Sequence, residues 1–260
     1  VLAGAPADAR AGEWLHYGNV PGGNRYSPLG QITPANVGAL QQAWTFSLGK
    51  EPNDAPAAFE ATPLKIGDRL YFCTGYNDII ALDAETGEQI WRFAAQADTT
   101  GIFGQVCRWV SYYRQDIAAP GTPCAERIYT ATIDSRLLSV DAATGKVCTG
   151  FGKNGTVDLL RGMSAAPKGY YHVTSPPAVV AGKLVVGGWV TDGQMTGEPS
   201  GVIRAYDAIS GKLAWAWDMG RPDHSGEPGP GETYTPGTPN SWSVMSADPA
   251  LGLVYVPMGN

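Results

Sequence analysis

The chain is built from short runs of apolar residues that alternate with polar ones and halt at glycine-containing turns, as in "TPLKIGDRLYFCT" and "SPPAVVAGKLVVGG". Alternation of this kind predicts strands rather than helices. Three segments share one arrangement: residues 79–91 (IIALDAETGEQIW), 137–149 (LLSVDAATGKVCT) and 202–215 (VIRAYDAISGKLAW). Their aspartates, Asp83, Asp141 and Asp207, recur about sixty residues apart, and a period of that length marks a repeat architecture. Each copy predicts a strand, a tight turn and a second strand. Glycine supplies the positive φ of the turn, and the Asp and Thr or Ser side chains satisfy its amides.

A second hairpin lies upstream at "TPLKIGDRLYFCT", at "SPPAVVAGKLVVGG" and at the end of the chain, "SADPALGLVYVPMGN". Two hairpins make a four-stranded sheet, and a series of such sheets predicts an all-β propeller. A β-sandwich also has many strands, but it gives no reason for a repeated Asp-x-x-Thr-Gly-x-x-x-Trp. A lone hairpin cannot bury Trp91 or Trp215, so each ring predicts a neighbouring unit that covers it. The second copy carries Thr149 at the Trp position. The pattern divides residues 1–260, read as the N-terminal part of one propeller domain, into a flexible lead-in (1–11) and a closing-strand region (12–45). Blades follow at 58–93, 125–152 and 174–218, then an incomplete blade at 242–260. "NVGALQQAWTFSLG" reads as the last strand of a blade with Trp44 as its docking ring. "LVYVPMGN" aligns with "RLYFCTGYN" as the second strand of a blade whose remaining strands are expected beyond residue 260.

Composition supports the all-β reading. Thirty-four Gly and 20 Pro provide many turns, and 8 Trp with 12 Tyr provide many aromatic contacts. The formal net charge of −6 and the lack of a basic stripe argue against nucleic acid as a partner. The longest apolar stretch, "PPAVVAGKLVVGGWV", is broken by Gly and Lys well short of a membrane span. "VLAGAPADARAGEW" lacks the charged-then-apolar pattern of a secretory signal. Cys73, Cys107, Cys124 and Cys148 form no C-x-x-C pair and no metal-ligand spacing, which leaves disulfides or buried thiols. An even count in a loop-rich β chain points to an oxidising compartment.

The stretch "GEWLHYGNVPGGNRYSPLGQITPANVGALQQAW", the A-x-D-x-x-T-G-x-x-x-W repeats and "CAERIYTATIDSRLLSVDAATGKVCTGFGKNGTVDL" together resemble the quinoprotein dehydrogenases, enzymes that oxidise alcohols with pyrroloquinoline quinone (PQQ). The likeness runs from Gly12 to Asn260 and is nearest to the membrane-associated glucose, quinate and polyol dehydrogenases. The resemblance implies an eight-bladed propeller with PQQ on its axis, about half of it supplied by this chain. The remaining C-terminal half of the propeller would be its structural partner.

PQQ is a planar, tricarboxylated ortho-quinone. It calls for aromatic surfaces, a cationic hydrogen-bonding partner and a divalent cation such as Ca2+ or Mg2+. By resemblance, Glu60 contacts the cofactor, Arg108 pairs with its oxygens, Thr174 donates to a carboxylate and Trp242 forms the floor on which it stacks. Asp192 and Asn260 are the implied metal ligands. More ordinary roles exist for each: a strand cap for Glu60, a surface ion pair for Arg108, a strand residue at Thr174 and an inter-blade ring at Trp242. Departures from the family pattern are Trp189 where alcohol-oxidising members carry serine, Gly193 where some glucose dehydrogenases carry asparagine, and Gly104 where glucose-oxidising relatives carry histidine. The last of these keeps the resemblance from singling out glucose.

One cysteine pairing would join Cys73 to Cys107 near the cofactor and Cys124 to Cys148 within a blade. Two other pairings are open. His16, His172 and His224 are scattered and read as structural. The family's catalytic base, an aspartate, belongs to a motif expected after Asn260, so no catalytic residue is assigned within this chain. The implied reaction oxidises the hydroxyl of an alcohol, polyol, cyclic hydroxy acid or aldose, with electrons passed to a quinone or cytochrome. Its implied place is the periplasm, at the outer face of the bacterial inner membrane, with membrane association through segments or subunits outside this chain. A quinoprotein-like scaffold without activity is the alternative. It would keep the docking repeat but has no reason to keep Glu60, Arg108, Asp192 and Trp242 together.

Overall fold

The computed structural model of the chain describes residues 12–49, 57–102, 104–119, 121–237 and 240–259. Among them are one 3-10 turn, Val37–Ala39, and eighteen short strands. In chain order the strands are β1 (Ala58–Phe59), β2 (Leu64–Ile66), β3 (Arg69–Cys73), β4 (Ile79–Asp83), β5 (Gln89–Phe93) and β6 (Val106–Cys107). Then come β7 (Ser111–Arg114), β8 (Glu126–Ala131), β9 (Arg136–Asp141), β10 (Thr156–Asp158), β11 (Tyr171–His172) and β12 (Ala178–Val180). The last are β13 (Lys183–Val186), β14 (Trp189–Val190), β15 (Ile203–Asp207), β16 (Leu213–Trp217), β17 (Ser246–Asp248) and β18 (Leu253–Tyr255). Three four-stranded antiparallel meanders form, β2-β3-β4-β5, β7-β8-β9-β10 and β12-β13-β15-β16, followed by the hairpin β17-β18. No helix among the described residues is long and apolar enough to cross a membrane.

Alternation along each strand sends neighbouring side chains to opposite faces, and both faces are covered. In β4, Ile79 and Ala81 join a cluster with Ile128 and Val140 of the second sheet. Ile80 and Leu82 pack the other way, against Trp44, Phe46 and Leu48. In β13, Leu184 faces Tyr129 and Phe151 of the second sheet, while Val185 faces Ala247 and Val254 of the fourth. The core is therefore a series of slabs between sheets, as in propeller blades.

The repeated turn makes the joints. Asp83 Oδ1 accepts from the Thr86 amide at 2.8 Å, and Asp141 and Asp207 make the same bond to Thr144 and Ser210 at 2.9 and 2.8 Å. The turn glycine then receives the Trp of the preceding unit. A Cβ on Gly145 (φ 68°) would lie 2.7 Å from the Trp91 ring, and one on Gly87 (φ 74°) would lie 2.4 Å from Trp44. Trp91 also donates Nε1–H to Ala142 O at 3.1 Å. A second repeat lies in the strand before: Tyr71 and Tyr129 donate their hydroxyls to Ala142 O and Ala208 O, and Arg69 and Arg127 donate to Ala143 O and Ile209 O. The "RLY" and "RIY" of β3 and β8 are thus grips on the next blade's turn.

Two strands expected from the repeat do not form. In the second copy the residues after the turn make only the isolated bridge Val140↔Val147, and the outer strand is β10 instead. Thr149 has no ring to dock, the Cys124–Cys148 disulfide holds this stretch, and Gly152 N–H donates to Ser210 O at 2.9 Å. Backbone contact between Gly152 and Gly211 there replaces a tryptophan. The sheet accordingly spans Ser111 to Asp158, wider than the stretch 125–152 read from sequence. Residues 40–49 likewise form no ladder. Trp44 still docks on Gly87, and Arg92 Nη1 donates to Leu48 O at 3.3 Å. The segment from Trp14 spans the innermost strands: Trp14 bridges Lys65 of β2, and Pro21 O accepts from Ala247 of β17 at 2.8 Å.

The turns carry a pH dependence. Burial raises the Asp207 pKa, but the Ser210 amide and hydroxyl, the Ile209 amide and the Lys183 charge outweigh it and hold it below the ordinary value. The Thr86 amide, then its hydroxyl, hold Asp83 down similarly. A carboxyl with a lowered folded-state pKa contributes stability that is present above its unfolded pKa and is lost as pH falls through the folded one. Asp207→Asn is expected to flatten the acid loss of stability below about pH 4, as read from unfolding midpoints of the whole protein between neutral and acid pH.

Candidate active site

The four residues assigned to the cofactor sit at equivalent places in successive repeats. Glu60 precedes β2, Arg108 precedes β7, Thr174 precedes β12 and Trp242 precedes β17, each by three or four residues. These are the innermost strands, and β12 contacts both β7 and β17. The repeat thus delivers one side chain per blade to a common place.

Local pairing sets the details. β1 and β6 run parallel with Phe59 opposite Cys107, so the next residues of each strand, Glu60 and Arg108, stand side by side. Glu60 Oε2 lies 3.3 Å from Arg108 Nε, with side chains 48% and 16% exposed. Arg108 Nη1 reaches Thr174 O at 3.5 Å, a long and weak contact, and its guanidinium lies 5.1 Å from the centre of the Trp242 ring. The Cys73–Cys107 disulfide joins β3 to the residue before Arg108. Both sulfurs lie against Trp109 O, at 3.3 and 3.4 Å.

Thr174 is buried, and its hydroxyl donates to Trp242 O at 3.1 Å; Ser175 donates to the same oxygen at 2.7 Å. The Thr174 proton therefore goes to the Trp242 carbonyl. Beneath Trp242 lies Trp189, 5.6 Å away, and beneath that His172 stacks at 5.3 Å with planes 21° apart. Antiparallel β11 and β14 place His172 opposite Trp189, which accounts for that stack. Burial lowers the His172 pKa, opposed by the Gly169 carbonyl. Nδ1 lies 3.0 Å from Gly169 O, so the neutral ring carries its hydrogen there. His172 thus lies at the end of a row of aromatic rings that runs through Trp189 to Trp242.

Asp192 lies two residues beyond β14, half-buried, and its carboxylate has no partner among the described residues. Asn260 lies outside the described residues. No group of three or more His, Cys, Asp or Glu suited to a metal occurs among the described residues. A hard cation here would draw on oxygen ligands that include amides and carbonyls. Sequence reasoning missed Ser175 and Asn240. Asn240 is buried, with its side-chain amide bonded to both backbone groups of Val190. Neither stands in a periodic pattern, and only the proximity of Asn240 to Trp242 marked it.

The donor set suits a planar polyanion: an indole face, a guanidinium over it whose Nη2 has no described partner, a carboxylate partly open to solvent and a disulfide alongside. Arginine retains its charge and presents a planar fork, which matches quinone or carboxylate oxygens.

Residues 14–260 match the family model "PQQ: Glucose/ethanol/alcohol dehydrogenase, beta-propeller domain". The chain is 45% identical over 258 residues to the glycerol dehydrogenase large subunit of Gluconobacter oxydans (strain 621H), covering 98% of this chain and 35% of that protein. It is 39% identical over 267 residues to the quinate/shikimate dehydrogenase (quinone) of Acinetobacter baylyi (strain ATCC 33305 / BD413 / ADP1), covering 95% of this chain and 32% of the relative. The structure aligns with the quinohemoprotein alcohol dehydrogenase from Comamonas testosteroni at a TM-score of 0.73 and 26% identity, covering 97% of this chain and 36% of that one. The chain thus spans about a third of the length of the curated relatives it matches. With its docking repeat and this match over nearly its whole length, the chain belongs to the PQQ glucose/ethanol/alcohol dehydrogenase β-propeller family.

Proposed function

We propose that this chain is the cofactor-binding part of a PQQ-dependent dehydrogenase that oxidises the hydroxyl of a small alcohol, polyol, cyclic hydroxy acid or aldose to a carbonyl. The observation that carries the reading is the convergence of Glu60, Arg108, Thr174 and Trp242 from the starts of four innermost strands. A scaffold held together by its docking repeat has no need of that convergence.

PQQ, when bound, supplies a two-electron acceptor, and a divalent cation, Ca2+ or Mg2+, polarises its quinone. The residues of this chain bind and orient. Trp242 offers its ring as floor, held by Trp189 below and by the Thr174 and Ser175 hydroxyls on its carbonyl. Arg108, 5.1 Å from the centre of the Trp242 ring, would pair with the oxygens of a planar anion, and the Glu60 carboxylate would orient its guanidinium. Asp192 and Asn260 hold the cation. In the overall reaction the carbinol carbon gives up a hydride and its O–H gives up a proton to a base. That base is assigned to an aspartate in the part of the propeller beyond Asn260, within an eight-bladed ring.

The similarity to a glycerol dehydrogenase and to a quinate/shikimate dehydrogenase (quinone) supports polyol or cyclic hydroxy acid substrates and a quinone acceptor, with a cytochrome as the other choice. The two disulfides support an oxidising compartment, and we assign the periplasm at the outer face of the inner membrane, with attachment through segments or subunits outside this chain. Reconstituting the full-length, cofactor-free protein with PQQ and Ca2+ tests the reading. Saturable PQQ binding with polyol-dependent dye reduction is expected. Failure to bind PQQ would leave the scaffold as the better account.

A further inference from the structure

We infer that Trp189 is a positioning residue for the cofactor floor. With the two glycines before it, it sets the tilt of the Trp242 ring and through it the affinity for PQQ, an inference that rests on the quinoprotein reading above. The bonds from Thr174 and Ser175 to Trp242 O fix the backbone of the floor residue. They leave the two side-chain torsions, and so the plane of the indole, to the groups that meet the ring. The Arg108 guanidinium lies 5.1 Å from the ring centre, and the Trp189 ring lies 5.6 Å away with planes 33° apart. Arg108 is a flexible side chain with its own task at the anion, so the aromatic neighbour is the one that holds the plane.

Gly187, Gly188 and Trp189 are wedged between the two segments that carry the neighbouring rings. A Cβ on Gly187 would lie 2.5 Å from Ser241 O, and one on Gly188 would lie 2.4 Å from the Tyr171 ring. Neither glycine has a positive φ, so what each supplies is room. Ser241 and Tyr171 directly precede Trp242 and His172. The Ser241 N–H donates to Gly188 O at 3.1 Å, and the β11–β14 pair sets His172 opposite Trp189. The backbone of the wedge is thus held against the residues before Trp242 and His172, and its ring stacks with both of theirs.

The far end of the row is kept for its face. His172 is 2% exposed, its Nδ1 lies 3.0 Å from Gly169 O, and its Nε2 has no partner among the described residues. A buried nitrogen without a partner is costly. What the ring contributes is its stack on Trp189 at 5.3 Å, with planes 21° apart. An aromatic pair is worth about two- to tenfold in an equilibrium constant beyond the area it buries. Losing Trp189 frees the floor ring, and that freedom must be given up again when a planar ligand stacks on it.

The test uses the full-length, cofactor-free protein in a fixed excess of Ca2+, with PQQ titrated and the bound cofactor read by its absorbance after equilibrium dialysis. Trp189→Ala is expected to raise the half-saturating PQQ concentration of the folded protein about two- to tenfold. Trp189→Phe keeps a ring in the row and is expected to recover most of that loss. A residue that only supports the fold would lower the melting temperature and the folded fraction yet leave half-saturation unchanged in Trp189→Ala, and that result would overturn the inference. Tighter binding in Trp189→Ala would overturn it too, since the ring would then stand in the cofactor's way. So would a phenylalanine variant that binds no better than the alanine one. Should the variants not fold, hydrogen exchange on the unaltered protein decides. PQQ is expected to slow exchange at Ser241 and at the paired residues His172 and Trp189, and protection that does not reach them would overturn the inference. Lack of PQQ binding by the unaltered protein would overturn the quinoprotein reading and this inference with it. Normal binding there, with unchanged half-saturation in Trp189→Ala, would overturn this inference alone.

Discussion

Replacing Arg108 with methionine is expected to weaken PQQ binding by the full-length protein about thirty- to a thousand-fold, equivalent to about 2–4 kcal/mol. The variant removes the charged fork proposed to pair with the oxygens of the anion, and with it the ion pair to Glu60 that orients that fork. Methionine preserves much of the stem's packing, so the loss reports the guanidinium rather than a cavity. The guanidinium side chain is mostly enclosed whereas Glu60 is about half exposed, which places the expected loss below that of a fully desolvated pair. Arg108→Lys is expected to fall between the two, because an ammonium keeps the charge but not the planar fork. Titration of the cofactor-free protein with PQQ reads the effect. Equal affinity in the methionine variant would show that Arg108 is only a surface ion pair.

The second large effect is structural. Trp91→Ala is expected to destabilise the protein by about 3–5 kcal/mol, the range for emptying a buried large aromatic site. Its ring is almost wholly buried against Gly145, and its Nε1–H satisfies Ala142 O. Truncation removes the ring and leaves that carbonyl without its partner. Trp217 provides the comparison, since it is 40% exposed and its truncation is expected to cost clearly less than that of Trp91. Chemical unfolding midpoints compare the two variants. A shift at Trp91 no larger than at Trp217 would remove the docking ring from its place in the fold. Gly145→Ala probes the same joint from the other side, because the added Cβ would collide with the ring at a φ of 68° that also strains alanine.

Much of the site could be read in the chain because it is tied to the repeat. Glu60, Arg108, Thr174 and Trp242, picked out by the family resemblance, stand three or four residues before an innermost strand in four successive units. Asn240 and Ser175 could not be read that way. Their roles arise from bonds to Val190 and Trp242, across 50 and 67 residues respectively, and no local pattern encodes such a partner. The same limit explains the second blade. A strand that follows a turn can be read from alternation, but whether it pairs depends on what docks there. With Thr149 in place of a tryptophan, the disulfide at Cys148 and the contact of Gly152 with Ser210 and Gly211 decide the matter.

The sequence by itself determined the all-β repeat, its Asp and glycine turns and its docking tryptophans. Each of these is local: a period of two, a turn needing positive φ, or a residue type at a constant offset from a strand. Only the tertiary structure decided how the cysteines pair, that Glu60 and Arg108 lie side by side through a parallel register, and that Thr174 spends its proton on Trp242. It also decided that His172, Trp189, Trp242 and Arg108 stack as one ladder. These are pairwise choices among groups far apart in the chain, and they are settled by packing and hydrogen-bond satisfaction once the blades are in contact.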